Sequence, residues 1–113
     1  MYQIEYYVEP NGGEPVREWL RSLDMKTVTV MQDKISLLHE HGLILMRTSV
    51  MKRIEGGDKD FYELRGGSGR ITIYHDTSNN SFVLLHGFLK KRQREIREIS
   101  LARSRLREYQ SGR

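Results

Sequence analysis

Apolar and polar positions alternate from the start of the chain. Tyr2, Ile4, Tyr6 and Val8 fall on one side of residues 2–8, the period of a half-buried strand. Asn11-Gly12-Gly13 breaks that pattern, and Pro15 can open a helix because its missing N–H is not needed in a first turn. Val16, Trp19, Leu20 and Leu23 then recur at i, i+3, i+4 and i+7, one apolar helical stripe. Asp24 predicts the cap of a second helix whose inner face is Val28, Met31, Ile35 and Leu38, with Gly42 as its stop.

Beyond Gly42 the period shifts toward two. Residues 50–55, 61–65, 70–75 and 82–89 read as strands, separated by Gly56-Gly57-Asp58, Gly66-Gly67-Ser68-Gly69 and Ser78-Asn79-Asn80. Those spacings predict a four-stranded antiparallel meander. Phe82-Val83-Leu84-Leu85 is apolar on both faces, which predicts a strand in the sheet interior. From Arg92 onward Ile96, Ile99, Ala102, Leu106 and Tyr109 return to helical spacing. The predicted order is β-α-α-β-β-β-β-α, an α+β fold with helices packed on one sheet. No repeat or low-complexity linker interrupts it, so a single domain over residues 1–113 is expected.

Charge alters this picture more than composition does. Residues 1–88 carry ten Lys/Arg against twelve Asp/Glu, whereas residues 89–113 carry nine against three. The net charge of +4 is therefore concentrated at the C-terminal end, in Lys90, Lys91, Arg92, Arg94, Arg97, Arg103, Arg105 and Arg107. Such a block is the electrostatic footprint of a polyanion binder, because neutralised phosphates release counterions. An acidic protein partner or a merely solvated helix face fits the same charges. No apolar run reaches the roughly 20 residues of a bilayer span, and no leader is expected at the N-terminus. With no cysteine there is no disulfide or thiolate site, which fits a reducing, cytoplasmic compartment.

The chain has no G-x-S-x-G, P-loop, H-E-x-x-H or dinucleotide fingerprint. His39 and His41 are two apart on a helix and point away from each other, so no metal site is expected there, and no cofactor is implied. His75 reads as a structural histidine, while His86 stands where the apolar run meets the basic cluster. If Tyr62 and Leu64 face the core, Glu63 and Arg65 share the other sheet face. Arg70 with Thr72, and His86 with Phe88 and Lys90, extend that face, with Lys52 ahead of them. One sheet face thus gathers Lys52, Arg65, Arg70, Lys90 or Lys91, an imidazole and aromatic rings. Cations would hold an RNA backbone and stabilise a pentacoordinate phosphorane, while a ring can stack on an unpaired base. Pairing of the same cations with neighbouring acids such as Glu63 is the alternative.

Phe61-Tyr62-Glu63-Leu64-Arg65, Gly69-Arg70-Ile71 with Tyr74, and Leu84-Leu85-His86-Gly87-Phe88-Leu89-Lys90-Lys91 follow in order, with Pro15-Val16 and Trp19-Leu20 upstream and a charged helix downstream. Together they resemble the HigB-like branch of the RelE superfamily, the phage-derived host-inhibition group of toxins in type II toxin–antitoxin modules. The resemblance implies a RelE-like fold and a metal-independent mRNA endoribonuclease that acts at the ribosome to inhibit translation. It also implies a helix-turn-helix antitoxin that silences the toxin in a hetero-oligomer. Arg65 and Arg70 match the family's phosphate-contacting arginines, Lys90 and Lys91 its basic pair, Phe88 its aromatic, and Lys52 a basic residue before the meander. Arg92 and Arg94 extend the RNA-binding run. Many relatives place Thr-Gln-Lys-Thr-Pro after the basic pair; here Arg92-Gln93-Arg94-Glu95-Ile96 has no proline, which allows an earlier start to the last helix. His86 is the candidate proton carrier, since an unperturbed imidazole titrates near pH 6.5. A non-catalytic RNA- or ribosome-binding inhibitor, or a phage protein that disables a host protein, are the rival functions.

Overall fold

The computed structural model describes residues 1–91 and 95–112. The elements run β1 (Gln3–Tyr6), α1 (Pro15–Ser22), α2 (Met25–His41), a 3-10 helix (Gly42–Arg47), β2 (Met51–Arg53), β3 (Phe61–Gly66), β4 (Gly69–Asp76), β5 (Ser81–Leu89) and α3 (Ile96–Ser111). Pro15 occupies the first turn of α1, and the Asp24 side chain caps α2 by accepting the Thr27 N–H at 2.7 Å. Gly42 ends α2 at φ +62° with the Tyr2 ring against its Cα, so both conformation and space require glycine.

The strand order is β1-β5-β4-β3-β2. Strands β2 to β5 form the expected antiparallel meander, and β1 joins its far edge parallel to β5. That places β5 inside the sheet, as its two-faced apolar run requires. Each face carries its own core. Val16 and Leu20 of α1 and Met31 and Leu38 of α2 pack on Tyr62, Leu64, Ile71, Ile73, Phe82 and Leu84. Ala102 and Leu106 of α3 pack on Phe61, Val83 and Leu85 from the opposite side, with Tyr7. Strand alternation separates these two sets.

Three expectations shift in detail. Strand β1 ends at Tyr6, so Val8 is exposed and Tyr7 turns into the α3 core. Strand β2 is shorter than the 50–55 segment because the 3-10 helix and the Gly56-Gly57 turn crowd both ends. Ile96 stands exposed at the start of α3, outside the buried stripe that Ile99, Ala102, Leu106 and Tyr109 share. Among the described residues, no helix is long and apolar enough to cross a membrane.

Helix α3 is fastened at its C-terminal end by Tyr109, whose hydroxyl lies 2.8 Å from Glu5 Oε2 and 2.7 Å from Asp76 Oδ2. Burial, followed by the bonds to Asp76 and Glu5, raises the Tyr109 pKa far above its ordinary value. The folded state thus holds this proton more tightly than the unfolded chain does. Its stabilisation is complete below about pH 10, where an unfolded tyrosine begins to ionise, and is lost as pH rises beyond it. Tyr109→Phe is therefore expected to flatten the alkaline fall in stability, in urea titrations between about pH 9 and 11. The same substitution removes the donor that two carboxylates share and is expected to cost about 1–3 kcal/mol at neutral pH.

Candidate nucleic-acid interface

A β-bulge shapes the candidate face. Thr72 pairs with His86 and Ile73 with Leu84, leaving Leu85 as the extra residue of β5. With strict alternation, His86 would follow Leu84 toward α1 and α2. The bulge instead turns both Leu85 and His86 toward α3, and Phe88 follows as the partner of Arg70. Gly87 then faces the other way, and the Trp19 indole of α1 lies directly against its Cα. The two sequence motifs Trp19-Leu20 and His86-Gly87-Phe88 are thus in contact through the absent side chain.

On the α3 side of the hairpin, Arg65 and Arg70 are direct cross-strand partners, as are Glu63 and Thr72, and Lys52 of β2 sits opposite Glu63. The connecting turn is tight, with Gly67 at φ +57°, and Gly66 and Gly69 leave room for the Met31 thioether from α2. Ser68 accepts the Lys90 backbone N–H at 2.7 Å, which brings the end of β5 to the hairpin tip. Arg65 donates from Nε to Glu63 Oε1 at 2.9 Å, and Arg70 Nε lies 3.7 Å from the same oxygen. Arg70 Nη1 also donates to the Gly67 and Gly69 carbonyls at 2.7 and 2.9 Å. Its side chain is 12% exposed against 32% for Arg65. Arg70 is therefore as much a brace of the hairpin as a surface cation.

His86 is anchored at both nitrogens. Arg105 Nη1 donates to Nδ1 at 2.9 Å, so Nε2 carries the ring proton and donates it to Glu98 Oε1 at 2.7 Å. Arg105 Nη1 also caps the bulged Leu85 carbonyl at 3.0 Å. Burial pushes the His86 pKa down, the Arg105 charge adds to this, and Glu98 opposes both. The imidazole is neutral at pH 7, with its lone pair directed at Arg105. Phe88 stacks on it at 5.6 Å between centroids and is only 6% exposed, so its ring packs rather than standing open to a base.

The cations divide between two grooves that flank the start of α3. A groove of about 700 Å³ is lined by Lys52, Arg65 and Lys90, with Glu63, Glu95 and Arg103. Lys90 Nζ lies 3.3 Å from Glu95 Oε1. Lys91 and Phe88 line a separate groove of about 990 Å³ with Ile96, Arg97 and Leu101. Because Lys90 and Lys91 face different grooves, they are not interchangeable. Lys90→Ala and Lys91→Ala are each expected to weaken RNA binding, and the double variant to lose about the sum of the two, in filter-binding titrations. Arg92 and Arg94 lie outside the described residues.

Sequence reading did not single out Arg103, Arg105, Glu95 or Glu98 for this site. Arg103 donates from Nε to Asp58 Oδ2 at 2.6 Å and ties the β2–β3 loop to α3. A signal was present for two of them, since Glu98 and Arg105 are one turn from the buried Ala102 and share its stripe. Elsewhere, His39 Nδ1 bonds the Tyr2 carbonyl at 2.6 Å, and His75 stacks on Phe82 at 4.5 Å. Among the described residues, no three metal-type donors converge.

No curated protein matches this chain in sequence. Among the solved structures that share its fold are two complexes. A chain of the archaeal RelE–RelB complex from Pyrococcus horikoshii OT3 superposes with a TM-score of 0.60 at 18% identity, over 81% of this chain and 98% of that one. A chain of the toxin–antitoxin complex RelBE2 from Mycobacterium tuberculosis superposes with a TM-score of 0.51 at 14% identity, over 79% and 98%. The family model of phage-derived Gp49-like proteins matches residues 18–107, from within α1 through most of α3, and takes in every residue of the hairpin, the bulge and both grooves. The chain accordingly belongs to the phage-derived Gp49-like family and has the RelE-type fold.

Proposed function

We propose that the chain is the toxin of a type II toxin–antitoxin module, a cytoplasmic endoribonuclease that cuts mRNA at the ribosome and so stops translation. The observation that carries this reading is the cross-strand pair Arg65 and Arg70, with Arg65 sharing one groove with Lys52 and Lys90. The ribose 2′-hydroxyl attacks the adjacent phosphorus, forming the O2′–P bond of a 2′,3′-cyclic phosphate as the bond to the 5′-oxygen breaks. The 2′-hydroxyl gives up its proton and the leaving 5′-oxygen takes one. Arg65, with Arg70 beside it, stabilises the extra negative charge of the phosphorane without a metal ion, and Lys52 and Lys90 hold the flanking backbone. His86 carries the proton once Glu98 and Arg105 release its nitrogens. Arg92, Arg94 and Lys91 extend the RNA track, and Phe88 supports the His86 ring. Both solved relatives were captured with an antitoxin, which supports a protein partner that silences this chain in a hetero-oligomer. The helix-turn-helix class of that partner follows from the sequence resemblance.

A second reading, a non-catalytic RNA- or ribosome-binding inhibitor, is favoured by the engagement of both His86 nitrogens. The two separate on a labelled message engaged by translating ribosomes. The nuclease reading expects products ending in a 2′,3′-cyclic phosphate. The rival expects salt-sensitive binding with the strand intact, even on translating ribosomes.

A further inference from the structure

We propose that Glu63 is a positioning residue, holding the Arg65 and Arg70 guanidinia in register for one phosphodiester; the proposal rests on the RNA-cleaving reading above. Glu63 sits in the middle of β3 and is 6% exposed. A carboxylate so placed is costly unless cations compensate it. Here Oε1 accepts from Arg65 Nε at 2.9 Å and lies 3.7 Å from Arg70 Nε, which is buried without a hydrogen-bond partner, so its hold on Arg70 is purely ionic.

The arginines need such a group. They are direct partners across the hairpin, so two like charges stand side by side on one face, an arrangement that is unfavourable by itself. Glu63, two residues before Arg65 on the same face of β3, offsets that repulsion. It also takes the Nε side of Arg65, and for Arg70 the Gly67 and Gly69 carbonyls take Nη1. Among the described residues, no hydrogen bond occupies the terminal nitrogens of Arg65, which are the ones suited to fork a phosphate. Fixing the forks before the substrate arrives is what lets fixed charges stabilise a transition state without reorganising.

A negative charge lining the groove that would take the phosphate nevertheless opposes binding. Glu63 therefore has opposite effects on affinity and on rate, a signature that mere loss of structure does not produce. Glu63→Gln keeps an acceptor of the same shape and removes the charge. Binding to a 2′-O-methyl RNA, which cannot be cut, is expected to tighten about five-fold, with a salt slope steeper by about one. Cleavage of a defined message at saturating enzyme in a purified translation system is expected to slow at least about ten-fold. Glu63→Asp keeps the charge but shortens its reach, so it is expected to slow cleavage with affinity unchanged; it decides the matter if the Gln variant does not fold.

A Gln variant that cuts at the wild-type rate overturns the proposal. So does one that loses affinity and rate together with its melting temperature, which is the mark of a structural residue. If the wild-type chain binds this RNA but cuts no message, the nuclease reading itself falls, and the positioning role falls with it.

Discussion

Arg65→Ala is expected to abolish growth arrest on induction and to lower the melting temperature, because the buried Glu63 loses its hydrogen-bonded cation. The side chain is one-third exposed and, among the described residues, its guanidinium bonds only to Glu63, so its removal creates no cavity. Removing one group that stabilises developing charge typically costs about a hundred- to a thousand-fold in rate. Arg70→Ala is expected to abolish arrest as well, but for two reasons. Reading the sequence as strand alternation places Arg70 outward and leaves the fold indifferent to its loss. Instead it is nearly buried and donates to two carbonyls of the hairpin turn. Losing those bonds is expected to cost about 1–3 kcal/mol, visible as a lower urea midpoint. Arg70→Lys, which cannot span both carbonyls and Glu63, is expected to restore little of either property. A fully toxic Arg65→Ala variant would remove the phosphate clamp from the account.

The largest effect on stability is expected at Gly87. The Trp19 indole occupies the space that any β-carbon there would need. Gly87→Ala must either lift α1 from β5 or push the strand toward α3. Overpacking of this kind typically costs about 1–3 kcal/mol, and the upper end applies because the obstacle is a ring wedged into the core rather than a flexible chain end. Thermal unfolding measures the loss directly. Trp19→Leu combined with Gly87→Ala is expected to recover part of it, since the smaller side chain vacates that space. The pair of substitutions thereby tests whether the two motifs are coupled by contact.

Much of the scaffold was legible because it depends on short-range pattern. Alternation across Tyr62-Glu63-Leu64-Arg65 assigned two residues to each face, and the structure places them so. Helix stripes located Val16, Leu20, Met31 and Leu38, and Asp24 marked its own cap. The parallel addition of β1 is a long-range pairing that no local period encodes. The bulge at Leu85 was equally silent, although it decides which way His86 points. The sequence places Lys90 and Lys91 together as neighbours; the start of α3 separates them into different grooves. His86 illustrates the remaining gap. Its identity suggests a titrating group near neutrality, whereas burial and the nearby Arg105 charge keep it neutral and bonded.

The most direct test of the account is mapping of 5′ ends on a reporter mRNA after inducing the chain alone in bacteria. New ends inside translated codons are expected, appearing with growth arrest and absent when Arg65→Ala is induced to the same level. Growth arrest with the message intact would contradict the account and leave a RelE-type fold that inhibits by binding.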